Sequence, residues 1–268
     1  MDYLFSPDNW EWLWTGNNAR FLFEGFLVNL QIAVIAMAFA LAFGLVLALL
    51  SLARATPIRT VAKAWVDVFR NLPLIFLILY LALSIPEGMK DFWSSNAPGF
   101  LPAALRGELV IAGILGLVLY NSAVIAEIMR AGILSLDRGQ REAAAALGLS
   151  YRQQMRHVVL PQGLRRMVPA TVSQLITLNK DTTLVSIIAI QEAVRSGRIL
   201  SQTAGNPFVG GGVDAPILHV MVFVGLLFVI VNYALSRLSR RLEQREGRRT
   251  AGRGPVRATG VEDQAIPA

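Results

Sequence analysis

The sequence predicts an all-α integral membrane protein with about five transmembrane helices and a cytoplasmic elbow of short helices. Of its 268 residues, 54% are hydrophobic and only 16% are charged, and the apolar residues fall in long blocks. These blocks are too continuous for a transmembrane β-barrel, whose strands alternate apolar and polar residues. Within lipid, a helix satisfies all of its own backbone hydrogen bonds, so each block is expected to be helical.

The candidate spans follow one another along the chain. Residues 25–53 carry no charge, and they exceed the ~20 residues that a helix needs to cross a bilayer. Residues 109–126 and 215–236 are also uncharged. Two weaker candidates carry charges, namely residues 64–85 and residues 167–194. Pro73 in the second span predicts a kink, because proline has no N–H to donate.

The distribution of basic residues predicts the orientation. Arginine and lysine concentrate after the first, third and fifth spans, whereas the alternate connections hold few of them. Because basic connections stay in the cytoplasm, the N-terminus is expected outside and the C-terminus inside. Residues 1–23 then form an external segment, residues 24–240 the membrane domain, and residues 241–268 a basic flexible tail. The net charge of +7 mostly reflects this asymmetry, although nucleic-acid binding is an alternative cause.

The connection after the third span has the local signals of an elbow. Residues 138–147 are rich in strong helix formers, and Gly148 follows where a helix would end in a left-handed residue. Ser150 and Gln153 fit a capping box that starts a second short helix. Pro161 is expected to stop that second helix. The prediction is helix, tight turn, helix, stop.

Three interpretations of the elbow are open: a docking site for a soluble partner, a connection that lies on anionic lipid headgroups, and a DNA-reading helix-turn-helix. Hydrophobic spans lie close on both sides of the elbow. They leave no room for the compact soluble domain that a DNA reader requires. The spacing therefore favours docking, and a membrane-tethered helix-turn-helix regulator is kept as an alternative.

The elbow resembles the signature cytoplasmic loop of permease subunits of binding-protein-dependent ABC importers. That signature is Glu-Ala-Ala, three residues, Gly, nine residues, then Ile-x-Leu-Pro, and Val158 replaces the usual Ile here. The flanking residues 66–74, 126–132 and 180–186 resemble the polar amino acid branch, which comprises histidine, glutamine and glutamate-aspartate permeases. Some of these phrases resemble permeases for acidic amino acids most closely.

The resemblance implies the permease subunit of an ATP-driven importer in the bacterial inner membrane. Two ATPase subunits would grip the elbows, a second permease would complete the pore, and an extracytoplasmic binding protein would deliver an amino acid. ATP with Mg²⁺ would bind to the ATPase partner, and this chain would bind no cofactor. Within a coupling loop spanning residues 136–166, the residues assigned to ATPase coupling are Glu142, Ala143, Ala144, Leu147, Gly148, Val158, Leu160 and Pro161.

Charged residues at membrane depth suggest a substrate pathway. Lys180 and Asp181 lie about 20 Å along a helix from the start of the fourth candidate span, and ionisable groups in lipid usually face a cavity. We expect Lys180 to neutralise a substrate carboxylate or to close a gate, although a helix-packing pair is the alternative. The resemblance also places this segment along the transport route. The residues expected to line the pathway are Asn121, Lys180, Asp181, Thr182, Thr183 and Ser186.

No catalytic constellation is evident in the sequence. The chain has no cysteine and only two histidines, so no catalytic or metal site is predicted. The glycines at 210–212 do not precede Lys-Ser or Lys-Thr, so they do not form a phosphate-binding loop. The chain is therefore not expected to be an enzyme. A membrane-embedded enzyme is the alternative from a different class, and it would need paired carboxylates or a metal cluster at membrane depth.

Overall fold

A computed structural model describes residues 6–205 and 213–251, with side chains as far as residue 246. Every regular element in these ranges is a helix, which confirms the predicted fold class. The α-helices are Asn18–Ser51 (α1), Thr56–Asn71 (α2), Leu74–Ser84 (α3), Glu87–Asn96 (α4), Val110–Leu134 (α5), Arg138–Ala146 (α6), Tyr151–Gln154 (α7), Leu160–Asp181 (α8), Ala193–Thr203 (α9) and Ile217–Ala251 (α10). Between or before them lie the 3-10 helices Pro7–Leu13, Ala103–Leu105 and Thr182–Ile188 and the π-helix Met155–Val159.

The first span, α1, packs along α5 through a row of small residues. Ala36, Ala40 and Ala48 are fully buried in this row. At Gly44 a Cβ atom would lie only 2.7 Å from Cγ2 of Ile125, so a larger side chain would force the two helices apart. Close approach through small residues is a common way for membrane helices to associate. Residues of this contact belong to the main apolar core.

The second predicted span, residues 64–85, is broken at Pro73, the residue where a kink was predicted. Helices α2 and α3 meet at an angle of 101°. Leu72 between them is extended, with φ −75° and ψ 135°. The ring of Pro73 disfavours the helical conformation for the residue before it, and proline cannot donate to the preceding turn. The predicted kink is therefore a full corner between two helices.

The fourth predicted span, residues 167–194, does not form one continuous helix either. Helix α8 ends at Asp181, a 3-10 helix follows to Ile188, and Ala189 then adopts a left-handed conformation with φ 65°. By length and composition, the described part of the chain has three helices able to cross a membrane: α1, α5 and α10 as far as Glu246. The bent pair of α2 and α3 raises this number to four if it forms one span.

The N-terminal 3-10 helix, the start of α1, α9 and the first half of α10 form a second, smaller core. Trp12 of the N-terminal 3-10 helix is fully buried beside Leu22 and Phe26 of α1, and its ring meets Phe223 of α10 edge-on at 6.1 Å. Helix α1 begins at Asn18, before the predicted domain boundary at residue 24. Helix α10 runs on to Ala251, so the first part of the predicted tail at 241–268 is helical. Residues 252–268 lie outside the described chain, as does the glycine run at 210–212.

Candidate functional site

The first helix of the elbow is defined by a cap at each end. The side chain of Asp137 accepts a hydrogen bond of 2.8 Å from the backbone N–H of Gly139 at the start of α6. At the other end, Gly148 has φ 76° and its N–H donates to the carbonyl of Ala145 at 2.9 Å. Left-handed backbone after a helix is a common stop signal, and glycine enters it without a steric penalty. The predicted turn at Gly148 is confirmed.

The second helix of the elbow begins with the predicted capping box. The carboxamide oxygen of Gln153 accepts from both the N–H and the hydroxyl of Ser150, each at 2.8 Å. The helix it starts, α7, is four residues long. The capping box therefore fixes the direction in which the chain leaves the turn at Gly148.

The predicted stop at Pro161 is wrong. The chain continues from α7 through the π-helix Met155–Val159 into α8, and Pro161 lies in the first turn of α8. Proline is tolerated at this position, because first-turn N–H groups have no acceptor within their own helix. The π-helix before Pro161 has i+5 backbone hydrogen bonds in place of the i+4 bonds of an α-helix. The regular series of i+4 hydrogen bonds is therefore already interrupted at the point where proline lacks an N–H. The elbow is thus continuous with α8.

Side chains of the elbow reach back to the end of α5. The guanidinium of Arg141 donates to the carbonyl of Ile133 at 3.2 Å, and that of Arg166 donates to the carbonyl of Ser135 at 2.6 Å. Carbonyl groups at the end of a helix lack helical partners, so these arginines satisfy acceptors that would otherwise need water. A small apolar cluster lies beneath them, comprising Ile133, Leu136 and Val159 with Leu52, Met155 and Leu160 packed against it.

The predicted coupling residues divide into an exposed set and an anchoring set. Leu147 is 81% exposed, and Glu142, Ala143, Gly148 and Pro161 are exposed or partly exposed with it. The remainder face inward: Ala144 is buried, Val158 is partly buried, and Leu160 packs on the cluster at the end of α5. The exposed set, together with Ala145 and Ala146, forms an accessible surface of mostly small side chains. A partner groove can approach the backbone closely along such a surface.

The predicted pathway residues do not all lie on one accessible surface. Asn121 is fully buried, where its carboxamide oxygen accepts from Gln174 at 2.8 Å and its amide group donates to the carbonyl of Leu117 at 2.8 Å. It therefore holds α5 against α8. Thr182 is also fully buried. Lys180 is exposed, and the partly exposed members of the set are Asp181, Thr183 and Ser186.

A buried polar network that the sequence analysis missed surrounds Thr182. The amide group of Asn29 donates to the Thr182 hydroxyl at 2.9 Å and to Oε2 of Glu192 at 3.0 Å. The Glu192 carboxylate caps α9 by accepting from the N–H groups of Val194 at 3.0 Å and Arg195 at 2.8 Å. All three side chains of the network are fully buried. The network ties the first span to the segment that follows α8.

A cavity of about 410 Å³ lies beside this network. Its wall includes Gly25, Val28 and Gln31 of α1, Gln191 just before α9, and Ser196 in the first turn of α9. Across residues 6–205 and 213–251, no group of three or more His, Cys, Asp or Glu side chains could hold a metal ion. The polar groups of the site are therefore hydroxyls, carboxamides and single charges.

Comparisons with known proteins point to one type of protein. A family model described as the inner membrane component of binding-protein-dependent transport systems matches residues 40–248. Over 227 residues the chain is 36% identical to the probable glutamine ABC transporter permease protein GlnP of Bacillus subtilis (strain 168), covering 84% of this chain and 94% of that protein. It is 30% identical over 226 residues to the glutamate/aspartate import permease protein GltK of Escherichia coli O157:H7, covering 84% and 93%.

Solved structures share the same fold. An amino acid ABC transporter crystallised with histidines is 26% identical, with a TM-score of 0.67 over 85% of this chain and 94% of that one. An inward-facing MetNI methionine ABC transporter is 22% identical, with a TM-score of 0.58 over 83% and 96%. The second similarity speaks to the fold alone.

Proposed function

Because the chain belongs to the family of inner membrane components of binding-protein-dependent transport systems, we propose that it imports a polar amino acid of the glutamine or glutamate type. The family predicted from the elbow motif is confirmed, and so is the expectation that the chain is a membrane transport subunit rather than an enzyme. The membrane-embedded enzyme and the helix-turn-helix regulator are not favoured. Transport by this family depends on a separate binding protein.

The elbow is the basis of our proposal for how ATP hydrolysis by a partner subunit drives movement of the spans. It presents an exposed surface of mostly small side chains between two defined caps, and it continues directly into α5 on one side and α8 on the other. A segment attached at both of its ends in this way would transmit a push from a soluble partner into the spans. We assign ATPase coupling to the loop at residues 136–166, with Glu142, Ala143, Leu147 and Gly148 at the contact surface. ATP and Mg²⁺ would be bound by the ATPase subunits.

The amino acid class rests on the relatives. Their names give glutamine for one and glutamate and aspartate for another. A free amino acid has a carboxylate, and Lys180 is an exposed cation beside the 3-10 helix Thr182–Ile188, which carries two threonine hydroxyls and one serine hydroxyl. Attraction between the substrate carboxylate and the Lys180 ammonium group supports Lys180 as a pathway residue. We propose Asp181, Thr183 and Ser186 with it, because they are partly exposed beside Lys180. Asn121 and Thr182 would support the pathway from behind, through the hydrogen bonds that hold α5, α8 and α1 together.

The assembly follows from the same reasoning. We propose that two permeases, identical or homologous, form the pore of a complex with an ATPase dimer and an extracytoplasmic binding protein. The basic elbow and the basic C-terminal segment then face the cytoplasm, and residues before α1 face outward. This orientation follows the excess of arginine and lysine on one side of the spans.

Affinity purification in mild detergent tests the coupling surface. The tagged wild-type chain is expected to capture an ATPase from native membranes. The Glu142→Arg variant should capture less, because it reverses the charge at an exposed position of α6. Glu108→Arg, at an exposed position just before α5, is the matched control and should capture the wild-type amount. Absence of any ATPase, under conditions where a known importer keeps its own, would contradict the proposal.

Uptake measurements test the substrate class. Cells that rely on this chain should accumulate radiolabelled glutamine or glutamate, and the unlabelled amino acid should compete. Uptake of neither, together with normal capture of an ATPase, would retain the importer and refute the amino acid class.

A further inference from the structure

The end of the first span contacts the elbow through an arginine and a tyrosine. Arg54 lies in the short connection between α1 and α2, and its guanidinium carbon is 4.3 Å from the centre of the Tyr151 ring at the start of α7. A planar guanidinium over an aromatic face is an attractive cation–π arrangement. Tyr151 is 41% exposed and Arg54 is exposed as well. The contact is therefore a surface feature and not part of the core.

The position of this contact distinguishes it from the other attachments of the elbow. Arg141 and Arg166 reach carbonyls at the end of α5, and the elbow is already joined to α5 and α8 through the chain itself. Arg54 belongs to a different part of the sequence, directly after α1. Leu52, from the same connection, packs on the apolar cluster beneath the elbow. The connection after α1 is thus held to the elbow by one apolar and one aromatic contact.

We propose that Arg54 and Tyr151 are positioning residues that make the elbow move together with the first span. The inference rests on the proposed function of the elbow and assigns a residue pair for which no role was predicted. Helix α1 is packed along α5 through its small residues, and α5 leads into the elbow. The contact between Arg54 and Tyr151 adds a direct connection from the elbow back to the end of α1.

The turn at Gly148 explains why such a closure is needed. Gly148 is exposed, and a Cβ atom placed on it would have no neighbour within 4 Å, so the turn is held by local hydrogen bonds and not by packing at Gly148. The π-helix Met155–Val159 follows α7 directly, and π-bulges are among the places where helices kink. A push on α6 could therefore be absorbed by pivoting at the turn. Tyr151 lies just beyond the turn, where its contact with Arg54 opposes that pivot.

A double-mutant cycle tests the pair. Arg54→Leu, Tyr151→Leu and the double variant are purified with their captured ATPase and reconstituted, and glutamine or glutamate uptake is measured per ATP hydrolysed. Each single substitution should lower this ratio about two- to five-fold, the factor expected from losing one cation–π contact at an exposed site. The double variant should lose no more than either single variant, because the same contact is removed. The amount of captured ATPase should stay unchanged.

Two further variants separate the cation–π contact from a general effect of surface charge or of the tyrosine hydroxyl. Tyr151→Phe keeps the ring face and should behave as wild type, whereas Arg59→Leu removes a nearby positive charge in α2 and should leave the ratio unchanged. Losses that add in the double variant would overturn the proposal, since Arg54 and Tyr151 would then act separately, for example on headgroups and on the ATPase. Wild-type ratios in both single variants would also overturn it, as would loss of ATPase capture on changing Tyr151. Failure of the proposed function itself is seen earlier, when the wild-type chain captures no ATPase.

Discussion

Replacing Gly148 by valine perturbs the elbow at one defined point. The residue has φ 76°, in the left-handed region that L-amino acids avoid. No atom lies within 4 Å of the place where its Cβ would be. A larger side chain therefore meets no clash with its surroundings, and the effect is confined to the backbone of the turn.

The energetic cost of Gly148→Val is therefore the cost of the backbone conformation alone. Left-handed backbone costs a residue with a Cβ atom roughly 1–2 kcal/mol, and β-branched valine lies at the unfavourable end of that range. An energy of this size changes the ratio between the native turn and alternative turns about 5- to 30-fold. Asparagine tolerates the left-handed region better than valine. Coupling between ATP hydrolysis and uptake should therefore be strongest with glycine at position 148, weaker with asparagine and weakest with valine.

The assay is glutamine or glutamate uptake together with ATP hydrolysis stimulated by the binding protein. Gly148→Val should reduce both, and Gly148→Asn should reduce them less. Gly16→Val is a matched control, because Gly16 also has a positive φ of 59° and no atom near its would-be Cβ, yet it lies before α1 and far from the elbow in sequence. Normal uptake and normal stimulation in the Gly148→Val protein would refute the coupling role of the turn.

Three further predictions concern the spans. Glu192→Ala should lower the melting temperature of the detergent-solubilised protein more than Glu192→Gln does. The alanine removes every hydrogen bond of the buried capping carboxylate, each worth about 1.5–3 kcal/mol. Equal melting temperatures of the two variants would contradict a capping role. Gly44→Leu should destabilise the protein by about 1–3 kcal/mol through overpacking. Gly225→Leu is the control and should not destabilise it, because open space surrounds Gly225. Similar unfolding of the two variants would argue against the close contact of α1 and α5. Lys180→Ala should weaken the apparent affinity for glutamate in uptake assays about tenfold, the effect of losing one hydrogen bond to a charged group. The variant should still capture the ATPase. Unchanged affinity would remove Lys180 from the pathway.

The elbow was predictable because its signals are local. A glycine at a helix end and a Ser-x-x-Gln capping box act through neighbours within a few residues, and both features are present in the structure. Pro161 shows the limit of the same approach. A proline inside a helix is disruptive, but a proline in the first turn is not. Which of the two applies depends on where α8 begins, and the preceding π-helix decides that.

Features that depend on distant partners could not be predicted. Asn29 and Glu192 are 163 residues apart in the sequence, and nothing in a single sequence indicates that they meet. A lone asparagine within an apolar span is a signal that a partner exists, since an unpaired amide in lipid is costly. It does not say where the partner is. The corner at Pro73 is an intermediate case, because the break is local but its angle is set by packing.

The predicted pathway residues and their neighbours differ in whether they have hydrogen-bond partners inside the protein. Asn121, Asn29 and Thr182 already have hydrogen-bond partners inside the protein, so binding an amino acid directly would cost each of them a bond in a place where water cannot replace it. Lys180 differs, because its ammonium group has no hydrogen bond or ion pair in the part of the chain that the structure describes, and it is exposed. On the proposed pathway, a charge at membrane depth would need a partner in every state of the transport cycle. An arriving carboxylate, water in the pathway or the second permease can each supply one, and exchange among them would link occupancy of the pathway to the arrangement of α8.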